Sequence, residues 1–322
     1  MAAREFLYIV QESAFKTPAT SPTLGTQAIY IRLDGSNAFT MRPKPIQVAV
    51  PYGGGKAINA FRVSDKTECK GTLKCLLYAD QAAFLLGWGL TFINNAQTAP
   101  WTTTEPIGDL ASCAVYHAIQ RSDGTIKRRV YLGTKVVGVS IDCSADSQIA
   151  TLSLELQAST PQGNQFDSST DPNGTTFPAP ADTSYPTDPY LFIHTAGYLS
   201  IASSRTQFDS VSIAVKNVIA AEWFENRYAN IIRCFGRDTT LAANLYYKPS
   251  PDDRTVYESS ASESVSLEFN NTAHTLTFTM NAQNVYTSLD DDLPIDGVYM
   301  QKLTASNQWD ASAGSDFTIA TT

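Results

Sequence analysis

The fold is decided by two neighbouring runs, Val139-Ser-Ile-Asp-Cys143 and Thr151-Leu-Ser-Leu-Glu-Leu-Gln-Ala158. Apolar and polar residues alternate in both runs, as expected of β-strands that bury one face. A matching pair occurs later as Val265-Ser-Leu-Glu-Phe269 and Thr275-Leu-Thr-Phe-Thr-Met-Asn-Ala282. Because pattern and order both agree, the sequence predicts a mainly β protein that contains two copies of one unit.

Earlier blocks extend this repeat, and one span departs from it. The matched blocks are Tyr30-Ile31 with Phe192-Ile193, Ile46, Val48 and Val50 with Val211, Ile213 and Val215, and Thr72 to Tyr78 with Thr240 to Tyr246. The next span, from Tyr78 to Val139, is about forty residues longer than its counterpart. We therefore expect the second copy to have lost or moved the elements of that span, with residues 298–305 and 317–320 as a candidate added strand pair.

Two segments without hydrophobic periodicity divide the chain. Residues 11–27 mix Thr, Ser, Pro and Gly, which predicts an extended arm that orders only against another surface. Residues 159–188 contain five prolines among polar residues, which is typical of a linker between domains. The predicted division is an N-terminal arm at 1–27, a first domain at 28–158, a linker at 159–188 and a second domain with a C-terminal extension at 189–322.

The first copy contains a helix and two strand pairs. Residues 79–86, ADQAAFLL, favour a helix that Gly87 and Gly89 would end. A hairpin is predicted from 111–120 and 125–132 around Asp123-Gly124, since Gly supplies the turn with a positive φ. A second pair, 136–143 and 150–158, follows it directly.

Composition excludes several classes of protein. Residues 1–162 contain 15 basic and 12 acidic side chains, whereas residues 163–322 contain 8 and 19. An acidic balance disfavours tight nucleic-acid binding, which depends on Lys and Arg at the phosphates. No apolar run approaches a membrane span, and the N-terminus lacks a signal-peptide core, so we expect a cytoplasmic protein without membrane contact. The five cysteines lack CxxC spacing and predict buried free thiols.

A search for chemistry finds no catalytic constellation, cofactor motif or metal-ligand spacing in the sequence. His117, His194 and His274 each lie in an alternating strand pattern and none forms HxH or HExxH. The run Gly53-Gly54-Gly55-Lys56 lacks the leading Gly of a phosphate loop and is followed by Ala57, so a flexible hairpin tip is favoured.

Two charged runs have simple interpretations. Asp290-Asp291-Asp292 with Asp296 could hold a hard cation, but the spacing matches no EF-hand, so a solvated acidic turn before Pro294 is favoured. Lys127-Arg128-Arg129 predicts a small charged strand face that pairs with acids at an interface.

Aromatic residues are the remaining candidates for a functional surface. Trp223-Phe224 with Tyr228 is the densest group, and it corresponds to the hairpin at 53–61 of the first copy. A subunit interface is favoured over a ligand groove. The predicted assembly residues are therefore Tyr52, Gly53, Gly54, Gly55, Lys56, Trp223, Phe224 and Tyr228.

Taken together, the chain resembles the tail tube proteins of long-tailed bacteriophages in which one subunit carries two tube domains. The resemblance rests on Gln11-Glu12-Ser13-Ala14-Phe15 followed by Thr17-Pro18, on the long hairpin around 51–60, and on the helix at 79–86. It also rests on the Gly133-containing strand that leads into 136–143 and 150–158. These are patterns across most of the chain rather than invariant motifs.

The resemblance implies two β-sandwich-like domains whose inner strands join neighbouring subunits into a ring-shaped β-barrel. It implies a structural virion protein that forms trimeric rings stacked into a tail tube, with DNA passing through the lumen without specific binding during ejection. An acidic lumen would repel that DNA. Implied partners are other copies of the chain, the tape measure, the tail terminator and the distal tail protein, with assembly in the host cytoplasm.

Two other functions fit the sequence. A hub or distal tail component of the same fold would cap the tube rather than build it. A carbohydrate-binding adhesin would use Trp101, Trp223 and Trp309 as sugar platforms, although the N-terminus and the odd number of cysteines speak against secretion.

Overall fold

A computed structural model describes residues 4–25, 27–33, 37–51, 59–90, 101–102, 110–120, 122–166, 192–201, 204–224, 226–246, 263–270, 274–292, 300–306 and 317–321. The first half contains β1 (Arg4–Ala14), β2 (Thr17–Pro18), β3 (Ala28–Leu33), β4 (Ala38–Pro51), β5 (Asn59–Leu76), α1 (Ala79–Leu90), β6 (Trp101–Thr102), β7 (Cys113–Gln120), β8 (Ile126–Ser144), β9 (Thr151–Ala158) and β10 (Thr160–Phe166). The second half contains a 3-10 helix (His194–Ala196), β11 (Gly197–Ile201), β12 (Ser204–Thr206), β13 (Phe208–Glu222), β14 (Ile231–Tyr246), β15 (Glu263–Asn270), β16 (Thr275–Asp292), β17 (Met300–Ser306) and β18 (Phe317–Thr321).

Most of the strands form three antiparallel sheets, so the predicted mainly β fold with one short helix is confirmed. The first-half sheet has the order β3-β1-β7-β8-β10. The central sheet has the order β4-β5-β9-β8-β13-β14-β17-β16 and joins the two halves. The second-half sheet has the order β12-β11-β15-β16-β18-β6.

The two halves have the same strand order. In each half a long strand, β8 or β16, begins in the outer sheet and continues into the central sheet. The series β7-β8-β9-β10 therefore corresponds to β15-β16-β17-β18. The repeat is present, but the match of 139–143 with 265–269 is wrong by one strand, because neighbouring strands of a meander share the same period-2 pattern and sequence similarity alone cannot tell them apart.

This correspondence removes the apparent deletion in the second half. The hairpin β15–β16 is the counterpart of β7–β8, so that hairpin has not been lost. The segments at 298–305 and 317–320 are not an added pair: β17 pairs with β14 and β16, and β18 pairs with β16 and β6. Of the described elements, only α1, β2, β6 and the 3-10 helix lack a counterpart.

Local irregularities match as well. The pairing of β8 with β9 has a bulge between Val136 and Gly138, and the pairing of β16 with β17 has one between Tyr286 and Ser288. In β8 the change of sheet follows Gly133, whose φ of 61° suits glycine. The Phe15 ring would lie 2.8 Å from a Cβ at that position, so a larger residue does not fit without rearrangement.

The core is continuous between the halves. One cluster of buried apolar residues runs from Leu7 and Trp88 in the first half to Val215, Phe269 and Ile319 in the second.

Helix α1 packs on the central sheet and extends to Leu90, four residues beyond the predicted end. Gly87 and Gly89 do not stop it, because glycine at 89 lets the helix approach the sheet: a Cβ there would lie 2.6 Å from Cγ2 of Val139.

The predicted N-terminal arm is wrong for the first half of its length. Strand β1 lies between β3 and β7 in the first-half sheet, and Phe6 to Val10 are fully buried. A strand that is buried on both faces has a continuous apolar sequence, here Phe-Leu-Tyr-Ile-Val. It lacks the alternation of apolar and polar residues that a half-buried strand shows. Only the stretch after Gln11 lacks periodicity because of its Thr, Ser, Pro and Gly content.

Two predicted irregular segments are partly strand. Residues 160–166, placed in the linker, form β10 and pair with β8 across Thr160–Leu132 and Phe166–Arg128. The rest of the linker to residue 188 lies outside the described residues. Residues 290–292, predicted as a turn, end β16 and pair with β17. Three adjacent aspartates have low strand propensity, but tertiary pairing overrides that preference.

Candidate assembly surfaces

The junction between the halves is a ladder of seven residue pairs along β13 and β8, from Ser210–Ser144 to Lys216–Gly138. Ser212 Oγ donates a 2.6 Å hydrogen bond to the Asp142 carboxylate, and Ser140 Oγ donates to the same carboxylate at 3.1 Å. Hydrogen bonds to a charged acceptor are stronger than those between neutral groups. The junction thus combines main-chain pairing with a specific side-chain contact.

Second-half residues also complete the helix of the first half. Asn217, which is 1% exposed, donates to the carbonyl oxygens of Gly89 and Val136 at 3.2 and 3.0 Å. Arg237 donates from Nε to Asn217 Oδ1 at 2.9 Å and from Nη2 to the Leu90 carbonyl at 2.9 Å. The last carbonyls of a helix lack internal partners and favour a cation, and α1 has no basic residue in its own last turn. These contacts lock the two halves together.

The central sheet has one apolar and one polar face. Alternate residues of β13, such as Val211, Ile213 and Val215, are buried in the core. The intervening positions across the sheet carry charged residues and small polar residues. Exposed or half-buried examples are Thr40, Arg42, Lys44, Lys70, Thr72, Lys74, Ser140, Asp142, Ser153, Glu155, Ser210, Ser212, Lys216, Asp238, Asn244 and Lys302.

This polar face carries both signs of charge, so the acidic excess of the chain is not concentrated on its described side chains. A shallow concavity of about 400 Å³ lies on it over the junction, between Asp142, Ser147, Ser212 and Asn244. Five of its lining residues carry hydroxyl groups: Ser144, Ser147, Thr151, Ser210 and Ser212. The arrangement gives this part of the sheet a surface of small polar side chains.

The central sheet ends in two open edges. Within the described part of the chain, β4 is hydrogen-bonded only to β5, and the segment of β16 at 285–292 is hydrogen-bonded only to β17. Open edges present unpaired N–H and C=O groups that favour pairing with another chain. Pro43 and Pro45 lie in β4, in keeping with the confinement of proline to edge strands.

The tip of the β13–β14 hairpin reaches back to the first half. Thr67 of β5 accepts hydrogen bonds from Trp223 Nε1 at its carbonyl, 3.3 Å, and from Arg227 Nε at its hydroxyl, 3.1 Å. Its amide donates to the Arg227 carbonyl at 2.7 Å, and a parallel bridge joins it to Tyr228. Phe224, by contrast, is 62% exposed. Trp223 and Tyr228 therefore make contacts within the chain, whereas Phe224 faces outward.

A buried polar network lies beneath that hairpin tip. Glu12 is 8% exposed and accepts hydrogen bonds from Ser112 Oγ at 2.5 Å, Gly133 N at 2.7 Å and Lys16 N at 2.9 Å. Burial raises the pKa of Glu12, while these hydrogen bonds and the nearby Lys135 charge act in the opposite direction. The net shift is upward, so burial is the larger effect.

Two lysines connect this network to the second half. Lys135 is 1% exposed, donates to the Ile232 carbonyl at 2.6 Å and lies 5.1 Å from the centre of the Phe15 ring. Lys16 donates to the Ala229 carbonyl at 2.9 Å, and Ser159 donates to the same oxygen. Burial lowers the pKa of Lys16, partly offset by Glu12. The hairpin tip is therefore held by side chains of the first half.

Sequence reasoning missed these contacts, although the pattern contained a signal. Lys135 occurs inside the otherwise apolar run Val130 to Val139, and Asn217 follows the alternating Val211, Ile213 and Val215 at a core-facing position. A polar residue at a core-facing position needs a buried partner. The sequence could have identified both as buried hydrogen-bonding groups, but not their partners.

The remaining predicted residues fall in several places. Tyr52, Gly53, Gly54, Gly55 and Lys56 lie outside the described residues, as do Trp309 and Asp296. His117 lies in β7 and contacts Glu5 at 2.5 Å. His194 is in the 3-10 helix, with its Nε2 2.7 Å from the Phe208 carbonyl, and His274 precedes β16, so the strand prediction is wrong for both.

The basic run and the cysteines also have defined surroundings. Arg128 is 1% exposed. It lines a concavity of about 270 Å³ together with Lys127, Arg129, His117 and Ile119. All five cysteines are free and buried, as predicted. Burial raises the pKa of Cys69 and Cys75 to about 12 and that of Cys143 to about 11, which keeps these thiols protonated and unreactive at neutral pH.

Two searches of the described residues gave negative results. No group of three or more His, Cys, Asp or Glu side chains is placed to hold a metal ion in that part of the chain. None of its helices has the length and hydropathy needed to cross a membrane.

Comparisons with known proteins point to one family. A family model described as phage tail tube protein matches residues 2–311. No curated protein matches the chain. A solved structure described as "Structure of Hcp1 from Flavobacterium johnsoniae" matches with 12% identity over 34% of this chain and 89% of that chain, at a TM-score of 0.23. That likeness is too low to support an argument.

Proposed function

The chain belongs to the phage tail tube protein family and is a structural component of the phage tail, and we propose that three copies close into a ring and that the rings stack into a hollow tube. In this proposal the central sheets of the three copies join edge to edge into one barrel wall. DNA passes through the barrel during ejection without specific binding.

The observation that carries this proposal is the β8–β13 junction. It joins four strands of the first half to four of the second within one continuous sheet, and the two outer strands, β4 and β16, are open in the described residues. Each junction within a copy then has a counterpart between copies. Three copies give a pseudo-sixfold wall, and a head-to-tail contact of this type closes a ring when the rotation fits.

The polar face of the central sheet supports its assignment as the channel wall. Small hydroxyl and amide side chains give a hydrated surface, and the acidic side chains Asp142, Glu155 and Asp238 lie on the same face as its Lys and Arg residues, which disfavours tight phosphate binding. We do not propose an acidic lumen, because Arg42, Lys44, Lys70, Lys74, Lys216 and Lys302 offset the acidic side chains of this face.

The hairpin tips are the proposed stacking elements. Phe224 is exposed at the tip of β13–β14. In the sequence, Tyr52 to Lys56 lie between β4 and β5. Exposed aromatic side chains are favoured at protein interfaces. We propose that Phe224 contacts the next ring, while Trp223 and Tyr228 hold the tip in position. The tape measure, tail terminator and distal tail protein are proposed partners at the tube ends.

We further propose that the two halves are two tube domains separated by the segment that follows β10. The first would include β1 and would end at residue 166. The second would begin near residue 189. The matching strand orders and bulges of the halves support this division.

Negative-stain electron microscopy of the purified chain, with light scattering across a concentration series, tests the proposed function. We expect hollow tubes, or rings with a central hole and the mass of three chains. Rings that never stack would favour a hub or distal tail role. A monomer at every concentration, also in the presence of an end-capping tail complex, would contradict the proposal.

A further inference from the structure

We infer that β16 pairs with β4 of a neighbouring copy in one defined antiparallel register, which places Asp292 opposite Thr40 and Asp290 opposite Arg42. This inference rests on the proposed ring and specifies its seam: the occupant of each open edge is a second copy of this chain. The register follows from the junction that already exists inside one chain.

The first step is to identify the residue of β16 that corresponds to Asp142. In the first half, Leu76 of β5 pairs with Thr151 of β9, which pairs with Asp142 of β8. In the second half, Tyr246 of β14 pairs with Met300 of β17, which pairs with Asp292 of β16. The bulges between Val136 and Gly138 and between Tyr286 and Ser288 then coincide. Asp292 is therefore the counterpart of Asp142.

The second step is to identify the residue of β4 that corresponds to Ser212. The coincident bulges make Leu76 the counterpart of Tyr246, so the sequence match of Thr72–Tyr78 with Thr240–Tyr246 is wrong by two residues. Lys74 and Asn244 are then counterparts, and the pair Ser210–Asn244 in the β13–β14 hairpin corresponds to Ala38–Lys74 in the β4–β5 hairpin. Two residues after Ala38 and Ser210 along their strands, Thr40 is the counterpart of Ser212. Arg42 and Lys44 are then the counterparts of Ala214 and Lys216.

Transferring the junction to the open edges gives the seam. Inside the chain, Ser212 lies opposite Asp142, Ala214 opposite Ser140 and Lys216 opposite Gly138. Between copies, Thr40 lies opposite Asp292, Arg42 opposite Asp290 and Lys44 opposite Ser288. A hydroxyl residue opposite an aspartate, as in Ser212 and Asp142, thereby recurs in the seam as Thr40 opposite Asp292.

Charge complementarity supports this register independently. Thr40, Arg42 and Lys44 are exposed in the single chain. At the position where the junction has neutral Ala214 and Ser140, the seam has Arg42 and Asp290, and opposite charges directly across an antiparallel pair are stabilising. Lys44 lies diagonally across from Asp290, so the seam joins a basic edge to an acidic one.

The same charges disfavour the wrong partner. Two β4 edges would bring Arg42 and Lys44 close to their own copies, and two β16 edges would bring three aspartates against three aspartates. Like charges across a strand pair are destabilising. The edges therefore select head-to-tail pairing over a two-fold dimer, and head-to-tail pairing is the contact that can close a ring.

Charge reversal tests the seam. Arg42→Asp and Asp290→Arg should each lower ring yield at least tenfold at physiological salt, and the double variant should recover most of the wild-type yield. The matched control is Lys74→Asp, an equal charge change on the same face of β5, one strand in from the edge; ring yield should stay near that of the wild type. Circular dichroism melts of the subunits verify folding.

Disulfide trapping tests the register itself. Cβ atoms directly opposite across antiparallel strands are about 4.5–5.5 Å apart, whereas diagonal neighbours lie farther apart. Thr40→Cys with Asp292→Cys should give oxidised trimers, and Thr40→Cys with Asp290→Cys should give far fewer. The native cysteines are buried and do not compete.

The outcomes separate the inference from the proposed function. If the wild type forms rings but the double charge reversal does not restore them, the register is overturned and the ring proposal stands. The same holds if the wild type forms rings and both cysteine pairs are trapped equally. Absence of rings from the wild type, and of trapped oligomers from the Thr40 and Asp292 pair, would overturn both.

Discussion

Ser212 in the second half donates a 2.6 Å hydrogen bond to Asp142 in the first half, across the pair of strands that joins the two halves. The contact links residues far apart in the sequence and lies on the polar face of the central sheet. Through the correspondence of the halves, it also defines the contact expected between copies. The energetics of the junction therefore bear on both the fold and the assembly.

Removing either partner of this contact should destabilise the subunit. Ser212→Ala and Asp142→Ala should each lower the free energy of unfolding by about 1–2 kcal/mol, since a hydrogen bond to a charged group is worth about 1.5–3 kcal/mol and this one is partly exposed. Urea denaturation of the two single variants and the double variant measures the coupling. Strictly additive losses would show that the two side chains do not interact.

Helix α1 should not tolerate a methyl group at Gly89. Alanine normally stabilises a helix by about 1 kcal/mol relative to glycine. At position 89 its Cβ would lie 2.6 Å from Val139, and such overpacking costs about 1–3 kcal/mol. We expect Gly89→Ala to lower the thermal midpoint. Gly236→Ala, with no atom within 4 Å of the new Cβ, is the control and should be nearly neutral; a stabilised Gly89→Ala would contradict the packing described.

Glu12 should make stability depend on pH. Its folded pKa is raised by burial, so the stability that it contributes is fully present below the ordinary glutamate pKa of about 4.3 and is lost as pH rises through the folded value. Glu12→Gln does not titrate. The unfolding free energy of the wild type minus that of Glu12→Gln should therefore fall over this range in urea titrations at successive pH values.

The control for this titration is Glu155→Gln, which removes an exposed carboxylate. Comparison with Glu155→Gln distinguishes the buried site from the general effect of one fewer negative charge. A wild-type minus Glu12→Gln difference that stays constant with pH would mean that Glu12 has the same pKa in the folded and unfolded chains.

Adjacent aromatic residues at the hairpin tip should behave differently. Trp223→Phe removes the N–H that bonds to Thr67 and should cost about 0.5–1.5 kcal/mol of subunit stability. Phe224→Ser should change subunit stability by less than about 0.5 kcal/mol, because Phe224 is exposed, yet it should shorten tubes. Thermal melts and tube lengths from micrographs measure both effects; normal tubes from Phe224→Ser would remove this residue from the stacking contact.

The strands and the presence of a repeat could be predicted from the sequence. Successive side chains of a pleated strand point to opposite faces of the sheet, so apolar and polar residues alternate along β4, β5, β8 and β9. Strand equivalence does not follow, because Thr151 to Ala158 and Thr275 to Ala282 alternate alike although β9 lies in the central sheet and the start of β16 in the outer one. Only hydrogen-bond partners distinguish them.

Buried and paired segments were the least predictable. Strand β1 lacks alternation because both of its faces are covered, and α1 passes through Gly87 and Gly89 because close packing on Val139 outweighs helix propensity. Of the predicted assembly residues, Phe224 is exposed, and Trp223 and Tyr228 bind the first half. That distinction depends on the path of the hairpin, which local sequence does not encode.

The central claim is that three chains close one continuous barrel wall through β16 and β4. Cryo-electron microscopy of assembled tubes, at a resolution that separates strands, tests it most directly. The account predicts three chains per ring, eight wall strands from each, with β16 of one chain beside β4 of the next. A different number of chains, or β4 and β16 at the outer surface away from the wall, would contradict it.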